Sequence, residues 1–236
     1  MKIDLEFMKE AFPKIWKYLP VTLELVAVSM VIALVFGTLF AYVNFKKIRG
    51  ISQVIRIYMS LIRGTPVILQ LYVIYNIAPY AIAEFLKKAG SDYNIYDLNP
   101  KYYAFFALSL MATVSVAEAV RAGLEGVNRG QLEAGLSVGM TELQALFQIV
   151  FPQAFTSALP VLGNVLIDLI KSTSLAFVMT VVEITACAKI LGGNSLRYFE
   201  GYLCVFLIYI VVIKTVEILL GILEKRLTLY RRGKMH

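Results

Sequence analysis

Five stretches of this chain are long and apolar enough to cross a bilayer, whose hydrocarbon core takes about 20 such residues to span. They run from Val21 to Val43, Pro66 to Ala83, Tyr102 to Val120, Phe155 to Val182 and Tyr202 to Leu223. Lipid offers the backbone no hydrogen bonds, so spans of this kind close their own bonds as α-helices. Residues 51–62 are also fairly apolar and would lengthen the second span if they continue its helix. Composition points the same way. Of 236 residues 59% are hydrophobic and 17% charged, against roughly 45–50% and about 25% in a soluble domain. A soluble core of this size cannot hide that much apolar surface, which excludes a soluble enzyme. The expected fold is an all-α membrane protein of about five transmembrane helices.

The first span is too long for a signal peptide and no small-residue cleavage site follows it, so it is expected to stay in the mature chain. Residues 1–20 carry Ile3, Phe7, Phe12, Ile15 and Trp16 at spacings suited to an interfacial helix, which Pro13 would break or bend. Lysine and arginine in the short loops set the orientation. Between the first two spans lie Lys46, Lys47, Arg49, Arg56 and Arg63 with no acidic residue, and after the fifth come Lys225, Arg226, Arg231, Arg232 and Lys234 against Glu224. The other two loops are balanced: Lys87, Lys88 and Lys101 meet Glu84, Asp92 and Asp97, and Lys189 and Arg197 meet Glu183 and Glu200. Five spans with this pattern place the N-terminus outside and the C-terminus, with the basic tail 228–236, in the cytoplasm. The net charge of +7 then reflects cytoplasmic loops and lipid, with no nucleic-acid partner. Cys187 and Cys204 show no metal or redox spacing, and the sole histidine is His236. Histidine catalysis and zinc binding thus lack their usual residues.

On this orientation residues 121–153 are cytoplasmic. Glu133 lies early in a helical run, where a carboxylate favours the positive helix end. Gly139 permits a sharp turn between two short helices. Leu143, Leu146, Phe147 and Val150 follow at helical spacing as one apolar face, and Pro152 is expected to end that helix before the next span. Such a pair of amphipathic helices is either a docking surface or a cover lying on its own membrane domain.

Glu133-Ala134-Gly135, three residues, Gly139, nine residues, Ile149, one residue, and Phe151-Pro152 resembles the coupling-loop signature of bacterial ABC importer permeases. That signature has a second alanine where Gly135 stands and leucine where Phe151 stands. Arg63-Gly64-Thr65-Pro66 with Gln70, Arg129-Gly130-Gln131-Leu132-Glu133-Ala134, Pro152-Gln153-Ala154, Leu159-Pro160, Asn164, Lys171-Ser172-Thr173-Ser174-Leu175, Glu183, Glu200 and Leu223-Glu224 are similar to the polar amino-acid permeases, the histidine/glutamine type. The resemblance covers about 21–227 as one permease domain in a bacterial cell membrane. It implies pairing with a second permease chain, identical or homologous, two cytoplasmic ATPase subunits that carry ATP and magnesium, and an extracytoplasmic amino-acid binding protein. It also implies that Glu133, Ala134, Gly135, Gly139, Leu143, Phe147, Ile149 and Pro152 engage the ATPase. No Gly-x-x-x-x-Gly-Lys-Ser/Thr loop is present, so this chain should be the conduit, with no cofactor of its own and hydrolysis on a partner. The run from Thr180 to Glu200 resembles the cystine-importing branch, with glutamine, arginine and other polar amino acids left open.

A central charge costs about 2.5–3.5 kcal/mol on insertion scales, so charges within spans need a partner or a task. Asp168 and Lys171, and Lys214 and Glu217, are spaced to pair on one helix face. Alternatively Asp168, with Asn164, Lys171 and Ser172, faces the pathway and meets the cargo. Glu118 and Arg121 are expected to form a local ion pair, and Glu24 to be solvated. The rival function is an ion-coupled secondary transporter or channel using Asp168 and Lys171, in which inverted repeats would be expected. A membrane enzyme is a weaker third, since no nucleophile–base or metal constellation is present.

Overall fold

The computed structural model describes residues 3–91 and 93–233, with side chains as far as Leu227. Asp92, Lys234 and His236, and the side chains of the basic tail, lie outside the described residues. Among the described residues the chain forms ten α-helices: α1 Leu5–Trp16, α2 Leu19–Phe45, α3 Ile51–Arg63, α4 Val67–Lys88, α5 Lys101–Glu125, α6 Arg129–Ser137, α7 Glu142–Ala145, α8 Phe151–Ser172, α9 Ile184–Ser195 and α10 Tyr198–Gly233. Five of the helical stretches are long and apolar enough to span, and they fall on the five predicted segments.

Packing follows from small residues placed a turn apart. Ser29, Ala33, Gly37 and Ala41 run down one side of α2, and Ala104, Leu108, Ala112 and Val116 down one side of α5, all buried against one another. Lipid supplies no hydrophobic drive between helices, so close backbone approach through small side chains is what binds them. Gly37 shows how close: a Cβ there would lie 2.7 Å from Val116 Cγ1. Helix α5 continues the seam to α8 at Gly123, opposite Ala154 and Ala158. Two-thirds of the apolar window of α5 is buried (67%) against 6% for α4, so α5 is the central post and α4 a peripheral one.

Four expectations change. Residues 51–62 form the separate helix α3, because Gly64 and Thr65 interrupt the helix and Pro66 caps α4 in an extended conformation (ψ 135°). Pro13 does not break α1: both Pro13 and Lys9, whose carbonyl loses its bond, are exposed, and the helix ends only three residues later. One face of that helix is covered by the bundle, while Leu5 (65%) and Trp16 (41%) stay exposed on it. Ala11 and Ile15 are buried among Ile184, Cys187, Cys204 and Ile208 of α9 and α10, and Asp4 pairs with Arg197 at 3.2 Å. Finally, the fourth span ends earlier than Val182. Helix α8 stops at Ser172, a 3₁₀ segment runs over Thr173–Met179, and Thr180 turns the chain in the left-handed conformation (φ 62°).

Pro152 is the fourth case in reverse: it does not end the loop helix but sits in the first turn of α8. A π-type turn over Leu146–Val150, in which the Phe151 N–H donates to the Leu146 carbonyl, widens the helix just ahead of the proline. The wider turn relieves the clash that a proline ring makes with the carbonyl four residues back. Residues 142–172 therefore run as one continuous helical rod through the π turn.

A Cβ on Gly123 would overlap the Ala154 carbonyl oxygen, which is backbone and cannot swing aside. Gly123→Ala gains about 1 kcal/mol of helix propensity but pushes α8 off α5, an overpacking cost of about 1–3 kcal/mol. The net expectation is a lower melting temperature for the detergent-solubilised protein. An unchanged or raised value would show that α8 is free to shift.

Candidate functional site

The loop between α5 and α8 is built from local rules. The Asn128 side chain accepts from the Gly130 N–H at 2.8 Å and caps α6, so Glu133 falls in the middle of that helix and not in its first turn. Gly135 faces α7 so closely that a Cβ would stand 3.0 Å from both Ala145 Cβ and Ile149 Cδ1. Glycine at the place where the resembling signature carries alanine is thus what lets α6 close on α7. Gly139, at φ +87°, makes the reversal with nothing crowding it. Thr141 then opens α7 with a reciprocal cap: its hydroxyl accepts from the Gln144 N–H at 3.3 Å, and the Gln144 side chain accepts from the Thr141 N–H at 2.8 Å. The Thr-x-x-Gln spacing of that cap is a signature readable in the sequence.

The predicted single apolar face divides in two. Ala145, Leu146 and Val150 are buried, whereas Leu143 (57% exposed) and Phe147 (62%) point away, joined by Val138 (78%) and Leu136 (44%). The inward set holds the loop to its own bundle, where Lys46 of the α2–α3 connection forms an ion pair with Glu142. Of the outward set, Phe147 stacks one ring face on Phe151 at 5.2 Å, and all four side chains remain exposed. Glu133, Ala134 and Pro152 are exposed and Ile149 is half-buried. Behind α6 a cavity of about 470 Å³ is lined by Lys47, Glu125, Asn128, Arg129, Leu132 and Glu133.

Two expected charge contacts are replaced. Glu118 does not pair with Arg121. It takes Arg63 at the end of α3, while Arg121 reaches one turn on to Glu125 with bonds of 2.8 and 2.9 Å. Glu24 is not simply solvated but paired with Lys101 at 2.7 Å, tying α2 to the start of α5. Both new partners come from other helices, which sequence spacing alone does not reveal.

On α8, Asn164, Asp168 and Lys171 are all exposed on one face, and Lys171 Nζ lies 2.7 Å from Asp168 Oδ1. Ser172 departs from this group, its hydroxyl donating to the Asp168 backbone carbonyl at 2.8 Å. On α10, Lys214 and Glu217 form the matching pair at 2.7 Å. Beyond the fourth span, the hydroxyls of Tyr75 and Thr180 share a hydrogen bond of 3.0 Å. There Glu183 is fully buried and accepts from the Ala186 N–H at 2.8 Å as the cap of α9. Burial pushes its carboxyl up to about 7, against the pull of the Thr185 and Ala186 N–H groups. Within the run from Thr180 to Glu200, the part from Val181 to Ala188 is mostly buried, while Asn194 to Phe199 are exposed.

Residues 33–229 match the family described as binding-protein-dependent transport system inner membrane component. The chain is 38% identical over 226 residues to the protein named "Probable amino-acid permease protein YxeN" of Bacillus subtilis, covering 96% of each. It is 32% identical to the L-cystine transport system permease protein TcyL of the same organism, covering 95% of this chain and 91% of that one. Among solved structures, an amino acid ABC transporter crystallised with histidines superposes with a TM-score of 0.80 at 32% identity, over 96% of this chain and 100% of that one.

The Glu183 carboxyl yields a signed pH dependence. Its folded value stands above the ordinary 4.5, so the folded state holds a proton that the unfolded chain has released. Its contribution is complete below about pH 4.5 and is lost as pH rises through about 7. Glu183→Gln keeps the acceptor for Ala186 and removes the titration. The melting temperature of the wild type should fall relative to this variant between pH 5 and pH 8. Parallel curves would show that Glu183 does not titrate in that range.

Proposed function

The chain belongs to the binding-protein-dependent transport system inner membrane component family, and as a multi-pass inner-membrane permease subunit of an amino-acid ABC importer we propose that it carries a polar amino acid inward by alternating access. The observation that carries the mechanism is the exposed apolar set Leu136, Val138, Leu143 and Phe147 on the α6–α7 loop. A loop outside the spans, braced inward by Leu146 and Val150, has apolar groups to spare only if a partner covers them. That partner is a cytoplasmic ATPase dimer carrying ATP and magnesium, seated on Glu133, Ala134, Gly135, Gly139, Leu143, Phe147, Ile149 and Pro152. The N-terminus is then outside and the C-terminus cytoplasmic, as the loop charges argue.

A second permease chain completes the conduit, and an extracytoplasmic binding protein delivers cargo to it. Asn164, Asp168 and Lys171 form the pathway face of α8, and Ser172 supports it from the helix backbone. The cargo's ammonium group meets Asp168. L-cystine is the first candidate, by likeness to the permease named for its transport, with glutamine, arginine and histidine next. The rival reading, an ion-coupled transporter using Asp168 and Lys171, requires no docking loop and runs against the family.

The direct test is ATP hydrolysis in proteoliposomes that contain this chain, its cognate ATPase and binding protein loaded with each of the four amino acids. One cargo should stimulate hydrolysis and accumulate inside. Failure of any ATPase to assemble on the chain would overturn the coupling assignment and restore the ion-coupled rival.

Gly139 offers a sharper probe of the loop. A β-branched residue at φ +87° is strained whatever space surrounds it. Gly139→Val should leave the protein inserted and the ATPase bound but lower uptake per ATP hydrolysed at least tenfold, while Gly139→Asn, which tolerates such a φ better, retains more coupling. Fully coupled uptake by the valine variant would remove Gly139 from the mechanism.

A further inference from the structure

The ion pair of Lys46 with Glu142 joins the end of α2 to the exposed tip of the rod 142–172. Two local features put it there. Helix α2 closes with the Ile48 N–H donating to the Val43 carbonyl at 3.3 Å, around Lys47 in the left-handed conformation (φ 51°). Glycine is the usual occupant of that place. The sharp stop divides the two lysines: Lys47 lines the cavity behind α6, and Lys46 reaches Glu142. On the other side, the reciprocal cap of Thr141 and Gln144 starts α7 at Glu142, so this carboxylate stands in the first turn of the rod. A second contact lies further along the same two elements. One turn before Lys46, Tyr42 of α2 meets Phe151 with ring centroids 6.4 Å apart, and Phe147 stacks on Phe151. The end of α2 thus clasps the rod at two points, an ionic one at the tip and an aromatic one behind it.

Attraction of opposite charges explains why the pair forms. Its place at the tip of the rod gives it a consequence that the other rim pairs lack. The rod is held to α5 through Ala154 and Ala158, so any turn about that contact carries Glu142 across the end of α2. Resting on the reading of the chain as an ABC importer subunit, we propose that Lys46 and Glu142 are positioning residues of energy coupling. Their ion pair latches the tip of the rod to α2 in the resting orientation, and it opens when the ATPases close. Both residues act through the rod, not on cargo or nucleotide.

The chemistry suits a contact made and broken in every cycle. Lys46 sits at the C-terminal end of α2 and Glu142 at the N-terminal end of the rod, so each charge is favoured by its own helix whether the pair is closed or open. The Glu142 side chain is 60% exposed and that of Lys46 22%, so water takes over the carboxylate when the pair parts. An exposed pair is a weak tie, easily released by a bound partner. While closed, it opposes the turning of the rod and keeps the ATPases from closing without a signal from outside.

Basal ATP hydrolysis by the complex of this chain with its cognate ATPase, in proteoliposomes without binding protein or amino acid, tests the assignment. Lys46→Gln and Glu142→Gln should each raise it about threefold, the scale an exposed pair can supply. The swapped variant Lys46→Glu/Glu142→Lys re-forms the pair and should bring the rate below that of either single variant. Glu24→Gln opens a rim pair away from the rod and should leave the rate unchanged. Salt supplies a second readout: between about 0.05 and about 0.5 M KCl, screening should raise the wild-type rate toward that of the glutamine variants, whose own rates stay level. Unchanged or lowered hydrolysis in both single variants, a swapped variant as fast as they are, or one salt profile shared by wild type and variants would each overturn the latch while leaving the importer reading intact. If no ATPase assembles on the wild-type chain, the importer reading falls and the latch falls with it.

Discussion

Everything in this bundle hangs on the close approach of α5 to its two neighbours. Ser29, Ala33, Gly37 and Ala41 on α2, and Ala154 and Ala158 on α8, leave so little side chain at the seams that helix backbones nearly touch. Within lipid the gain comes from dispersion contacts over a long interface, and these fall off steeply with distance. A seam of small residues therefore holds only if it is continuous, and α5 supplies that continuity on two sides. The position of α8 is fixed by this contact, and α8 carries both the exposed polar face and the rod that reaches the α6–α7 loop.

Charge is handled by a different rule at the rims and within the spans. Near helix ends, Glu24 with Lys101, Arg63 with Glu118 and Lys46 with Glu142 link separate helices. Such exposed pairs contribute roughly 0–1 kcal/mol each, so they serve register more than stability. Within the spans, Asp168 with Lys171 and Lys214 with Glu217 stay on one helix each. A pair closed within a helix survives movement of that helix against its neighbours, whereas a pair between helices would resist it. The arrangement suits a pathway whose walls have to move.

The spans were legible because bilayer thickness sets their length, and the turn at Gly139 because its positive φ follows local chemistry. What sequence spacing missed was tertiary in origin. The apolar stripe from Leu143 to Val150 reads as one face at 3.6 residues per turn, but the π turn at Leu146–Val150 changes the period and sends Leu143 and Phe147 outward. Pro152 reads as a stop for the same reason: the rule assumes a regular α-helix ahead of it. Glu118 found Arg63 instead of Arg121 because α3 is a separate helix whose end returns to α5. The burial of Glu183 depends on α10 packing, which no local pattern announces. The division of the loop into an inward brace and an outward surface is likewise absent from the sequence pattern.

The π turn also decides how a force applied at the loop would travel. Had Pro152 ended the helix, the loop would meet α8 through a flexible joint, and a push on Phe147 would be absorbed there. Instead residues 142–172 are one helical rod, with Phe147 near the exposed end, Gly163 against Leu220 of α10, and Asp168 and Lys171 further along. Helices resist bending far more than loops do, so a displacement of the exposed end turns the rod about its close contact with α5 near Ala154 and Ala158. The polar face then moves relative to α10. Under the proposed docking, the apolar surface on the loop and the exposed polar face of α8 are two ends of the same lever, and the contact of Gly123 with Ala154 and Ala158 is where it pivots.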